Sequence, residues 1–142
     1  FDSAFCFLYI SFLLFIPVQT NSILAMFLGF FLGLGLDIFV GTLGIHASAC
    51  VFVMFLRPTL LGFVKPFAGY EQQQGQQISI NSFGLQWFAS YAFLFILLHH
   101  FFLFFVEANS WILFFDTLLK AIASTILTFV TVLLVQYLFY KK

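Results

Sequence analysis

The sequence predicts an all-α integral membrane protein, a bundle of five transmembrane helices. Three observations predict it. The chain of 142 residues is 63% hydrophobic and only 7% charged, with a mean hydropathy of +1.13. A soluble domain carries about 25% charged residues, so this chain cannot cover a water-facing surface. Its apolar stretches are separated by short polar or glycine-containing breaks, and several approach the 20 or so residues that a spanning helix needs. Phenylalanine alone accounts for 25 residues, which suits lipid-facing surfaces. Formal net charge is zero, which leaves no electrostatic footprint for a nucleic acid.

Residues 4–16 form the first apolar segment, short for a span and closed by Pro17 and the polar run Gln19-Thr20-Asn21-Ser22. It lacks the basic leader and small-residue cleavage site of a signal peptide. The chain opens on Phe1 rather than Met, and an upstream helix that would make six spans is expected to be missing. Residues 23–40 span comfortably, with Ser22 as a candidate cap. The turn Gly41-Thr42-Leu43-Gly44 is so short that the next segment must return antiparallel alongside. That segment, residues 45–63, is expected to break near Arg57-Pro58, because a residue before proline avoids the helical region. Residues 59–64 then read as a separate interfacial piece, and Arg57 is expected to snorkel to headgroups. Residues 65–81 are glutamine-rich and glycine-punctuated, the pattern of a flexible surface loop. Residues 85–106 span next, with Trp87 and Tyr91 in an aromatic belt. Residues 116–140 form the last span, and Lys141 and Lys142 end the chain.

Arg57, Lys65, Lys141 and Lys142, with Lys120 the exception, fall at one end of such a bundle, which the bias of basic residues predicts to be cytoplasmic. The turns at 41–44 and 107–110 then face outward, and by alternation so does Phe1. Cys6 and Cys50 both lie in apolar segments and read as buried thiols.

The most specific pattern is a stripe within the second segment. Ala25, Gly29, Gly33, Asp37 and Gly41 recur every fourth residue, which on a helix makes one smooth, slowly drifting groove with a single carboxylate in it. Glycine grooves permit close helix approach, to a neighbouring segment or to a second protein. A carboxylate within a span is costly and faces protein or water. Two roles stand for Asp37: a polar anchor bonded to nearby backbone or to His46, or a contact to a partner helix, a proton or a substrate. His99 and His100 are adjacent, point about 100° apart, and cannot chelate one metal facially, so at most one is expected to face the interior. Asp116 and Lys120 are spaced for an i,i+4 pair. No nucleophile–base arrangement, phosphate loop or metal cluster is visible, so neither enzyme activity nor a cofactor is expected. The residues expected to carry partner binding or to build the bundle are Ala25, Gly29, Gly33, Asp37, Gly41, Gly44, His46 and Arg57.

The string from Phe27 to Asp37, followed by Gly41-Thr42-Leu43-Gly44-Ile45-His46-Ala47, resembles the signature of the rod shape-determining membrane protein family MreD. Phe55-Leu56-Arg57-Pro58, Gly69-Tyr70-Glu71, Ser82-Phe83-Gly84-Leu85 and His99-His100 with Phe101 and Glu107 resemble its Bacteroidetes branch. The resemblance covers essentially the whole chain, with the family's first helix absent. It implies a bundle similar to the substrate-binding subunits of energy-coupling transporters. It also implies a non-enzymatic inner-membrane component of the cell-elongation machinery that makes peptidoglycan. Its partners would be MreC, the MreB filament and the RodA–transpeptidase synthase, in a setting of membrane lipid with no small-molecule substrate. On this reading the glycine stripe is a groove that docks the membrane helix of MreC. The rival expectation is a small-molecule-binding transporter subunit with Asp37 and His46 lining a cavity.

Overall fold

The computed structural model describes residues 8–140. Its secondary structure is helical: α1 (Ile10–Leu14), α2 (Ser22–Val40), α3 (Ile45–Phe63), α4 (Ile80–Phe83), α5 (Leu85–Ala108) and α6 (Phe114–Leu138), with a single 3₁₀ turn at Glu71–Gln73. Four of these, α2, α3, α5 and α6, are long and apolar enough to cross a membrane. The 19 residues of α2 rise about 28 Å at 1.5 Å each, close to a hydrocarbon thickness of about 30 Å. The chain is thus a multi-pass membrane protein. Of the first segment, residues 4–7 lie outside the described residues, as do Cys6, Lys141 and Lys142, and the remainder carries only the five-residue α1.

The helices pack in chain order: α2 on α3, α3 on α5 and α5 on α6, with α1 against α2 and α5. The outward faces of α2 and α6 carry large exposed apolar side chains, among them Phe27, Phe31 and Ile38 on α2 and Leu119, Ile126 and Leu134 on α6. In lipid these faces are solvated by acyl chains. The core between α1, α3 and α5 is filled by Leu13, Leu14, Val53, Met54, Phe88, Tyr91, Phe95 and Ile96.

Helix ends depart from expectation in instructive ways. Asn21, not Ser22, caps α2: its side-chain oxygen accepts from the Ile23 amide at 2.8 Å. The expected break near 57–58 is absent, and α3 runs without interruption to Phe63 with Pro58 inside it. Proline removes one backbone donor, but neighbouring helices hold a membrane helix together at such a point. Here the inward side chains of Leu60 and Leu61 are buried beyond the proline, so residues 59–63 stay in the bundle rather than leaving it as a separate piece.

Arg57 does not snorkel to headgroups. It is 2% exposed, and its guanidinium donates to the carbonyls of Ile16, at 2.5 Å, and Pro17, at 2.8 Å. Those acceptors lie in the turn just after α1, where the Pro17 carbonyl also accepts from the Thr20 amide at 3.1 Å, so a buried charge is held by irregular backbone. The loop after α3 is anchored to the bundle near its two ends, while most of its glutamine-rich run is exposed. Ile78 is fully buried and its amide donates to the Phe15 carbonyl at 3.2 Å. The Tyr70 hydroxyl donates to Leu61 O, the Trp87 indole to Val64 O at 2.7 Å, and the Ile80 amide to the Gln136 side chain at 3.2 Å. Burial raises the Tyr70 hydroxyl above its ordinary pKa. Trp87 and Tyr91 stack at 5.2 Å, and Tyr91 belongs to the core rather than to an interfacial belt.

Candidate functional site

The glycine stripe faces α3. Ala25, Gly29, Gly33 and Asp37 are the buried residues of α2, and α3 covers them. A Cβ added to Gly33 would stand 2.6 Å from the Ala47 amide nitrogen and from the His46 carbonyl oxygen. One added to Gly29 would meet Met54 Cγ at 3.1 Å and Cys50 O at 3.2 Å. The two backbones therefore touch where the sequence expectation placed a partner helix. The groove is filled from within the chain, because the tight turn at 41–44 returns α3 directly onto it. Gly41 lies beyond the stripe. It caps α2 with φ +78° and its added Cβ would meet open space; Gly44 starts α3 with φ +84°. Both are required for their left-handed backbone rather than for contact.

Asp37 gives the close approach its chemistry. It is 2% exposed, and its two oxygens serve the first turn of α3. Oδ1 accepts from the His46 amide at 3.0 Å and from His46 Nδ1–H at 2.9 Å, and Oδ2 accepts from the Ala47 amide at 2.9 Å. The Thr42 hydroxyl also donates to Oδ1. Gly44 has no side chain with which to cap α3, so the carboxylate of the preceding helix supplies the cap. A negative charge at a helix N-terminus is favoured by the helix dipole, and four donors replace its lost hydration. Asp37 closes its own helix as well, its carbonyl accepting from Gly41 N at 2.8 Å and Thr42 N at 3.0 Å. Of the two roles open for it in the sequence, this is the polar anchor bonded to backbone and His46.

From His46 a line of buried polar side chains continues into the bundle. The Tyr9 ring lies 6.1 Å from the His46 ring, and the Tyr9 hydroxyl is 3.0 Å from His99 Nε2. Cys50, a buried thiol, is 3.9 Å from the same nitrogen. His100 Nδ1 lies 3.2 Å from Thr125 Oγ1, whose hydroxyl donates to Ala121 O at 2.7 Å. Both adjacent histidines are thus interior, against the expectation of at most one. The reason is that α5 sits between α3 and α6 and is covered on two sides. His99 Nδ1 finds no hydrogen-bond partner among the described residues. Nor do any three His, Cys, Asp or Glu side chains among them group closely enough to hold a metal ion.

No family model, curated protein or solved structure matches the chain. His46 also borders a recess of about 160 Å³, lined with Thr42, Glu107 and Lys120. That is smaller than the roughly 300 Å³ at which ligand pockets begin. Asp37 does not line it, and its carboxylate bonds go to the turn and to α3. Lys120 pairs with Glu107 across α5 and α6 at 3.5 Å, rather than with Asp116 on its own helix. Arg57 lies apart from this end, locking α1. The stripe, Asp37 and His46 thus form one constellation, and Gly41 and Gly44 shape the turn that closes it. Tyr9, Thr42 and Thr125 complete the polar line with His99 and, unlike His99, were not singled out from the sequence. A tyrosine within a short apolar segment, and a threonine five residues after a membrane carboxylate, were the available signals.

Proposed function

We propose that this protein is a non-enzymatic scaffold of the bacterial inner membrane that serves the cell-elongation machinery, as its resemblance to the MreD family implies. One observation supports the reading most directly. The residues that carry the resemblance, from Phe27 to Ala47, are the same ones that build the α2–α3 lock through Gly29, Gly33, Asp37, Thr42 and His46. Such an element gives a rigid two-helix unit with broad apolar faces toward lipid, which suits holding partners in register better than turning over a substrate. Its partners on this reading are MreC, MreB and the RodA–transpeptidase synthase. Because α3 fills the stripe, MreC must contact a surface other than the glycine groove.

The test is depletion of the protein in its native cell together with affinity isolation from solubilised membranes. Loss of rod shape and recovery of MreC with the tagged chain are the expected results. Unchanged cell width on depletion, with no MreC recovered, would overturn the proposal. Variants at Gly33 are unsuitable for this purpose, since they disturb the fold before they disturb any partner.

A further inference from the structure

Where α5 hands over to α6, a hollow of about 590 Å³ opens between the last turn of α5 and the first two turns of α6. Its wall combines two chemistries: the charged groups of Glu107, Asp116 and Lys120, and the apolar surfaces of Phe104, Leu113 and Leu119. Lys120 Nζ is 3.5 Å from Glu107 and 4.7 Å above the centre of the Phe104 ring. Asp116 is exposed and forms no ion pair with another described residue. From Leu119 an exposed apolar row continues down α6 through Ile122 and Ile126, at spacings of three and then four residues that keep it on one face. Trp111 is exposed in the turn at the same end, and aromatic residues are enriched at membrane–water boundaries.

We propose that this hollow seats the headgroup of a phospholipid carrying a primary ammonium, phosphatidylethanolamine, with an acyl chain laid along Leu119, Ile122 and Ile126. The charge pattern selects the headgroup. Phosphate is attracted to Lys120, and an ammonium one ethylene unit away comes within reach of Asp116 and Glu107. With two carboxylates to one ammonium among the described residues, the wall repels a headgroup of net negative charge. A choline headgroup brings the same charges but cannot donate a hydrogen bond to Asp116. The volume lies within the range of about 300–1,000 Å³ usual for small-ligand sites. This inference stands independently of the elongation role.

The experiment is native mass spectrometry of the purified chain released from micelles. The micelles contain equal amounts of phosphatidylethanolamine, phosphatidylcholine and phosphatidylglycerol with matched acyl chains. The expected result is retention of the ethanolamine lipid at least threefold over either competitor. Asp116→Asn is expected to remove the preference over choline, and Lys120→Gln to lower retention of all three. Asp116 is exposed at the surface, so its substitution leaves the fold intact, which circular dichroism verifies. Equal retention of the three lipids, preference for the glycerol lipid, or an unchanged preference in Asp116→Asn would each overturn the proposal.

Discussion

Replacing single glycines of α2 by alanine separates a filled groove from an open one. At Gly33 the new methyl would lie 2.6 Å from two backbone atoms of α3. Carbon contacts are optimal at about 3.5–4.0 Å, so the helices must part by roughly 1 Å. Overpacking of this kind costs about 1–3 kcal/mol, set against a gain of about 1 kcal/mol from replacing glycine in a helix. At Gly29 the nearest atom is Met54 Cγ, the middle of a flexible side chain at 3.1 Å, with Cys50 O at 3.2 Å, so cost and gain nearly cancel. At Gly35 nothing lies within 4 Å and only the gain remains. The expected order of stability is Gly35→Ala above wild type, Gly29→Ala near wild type, and Gly33→Ala below it. Helix content followed by circular dichroism during titration with sodium dodecyl sulfate, in mixed micelles, reads this order. An open docking groove would make the three variants of the isolated chain alike. Gly33→Ala as stable as Gly35→Ala would therefore refute the packing argument.

Two further outcomes follow from the same geometry. Arg57→Met leaves the Ile16 and Pro17 carbonyls without their buried donor, so amide hydrogen exchange should rise across α1 while α5 and α6 stay protected; unchanged exchange in α1 would show that the guanidinium does not hold it. Tyr9→Phe deletes the bond to His99 and should lower stability by about 0.6 kcal/mol and at most about 1.7, the mean and maximum for polar contacts between membrane helices, whereas Tyr9→Phe in a His99→Phe background should cost clearly less, as a double-mutant cycle in micelles would show.

Membrane character and the four long helices were legible because they rest on composition and length. Their limits were read to within about two residues, since apolar runs and glycine turns mark them plainly. The stripe was legible as a surface of close approach, but not its occupant. Spacing along one helix says how near a neighbour can come and nothing about which neighbour arrives. The turn at 41–44 held that answer, because four residues leave α3 nowhere to go but onto α2. Arg57 was misread for a related reason. A polar residue near a helix end is assigned to solvent by default, and only the three-dimensional position of the Ile16 and Pro17 carbonyls, brought in from about 40 residues earlier, makes Arg57 interior. Ile78 and Ile80, two apolar residues at the edge of the glutamine-rich run, were the sign that this loop folds back on the bundle.

The measurement closest to the centre of this account is hydrogen exchange at the amides of His46 and Ala47 in lipid nanodiscs, in wild type and in Asp37→Ala. These are donors in the first turn of α3, where amides have no acceptor within their own helix and exchange freely unless a cap protects them. Bonds of 3.0 and 2.9 Å to Asp37 predict slow exchange at both in the wild type. Fast exchange at the same two positions is predicted in Asp37→Ala, with the middle of α3 still protected. Fast exchange in the wild type, or protection that survives loss of the carboxylate, would contradict the claim that Asp37 ties α2 to α3.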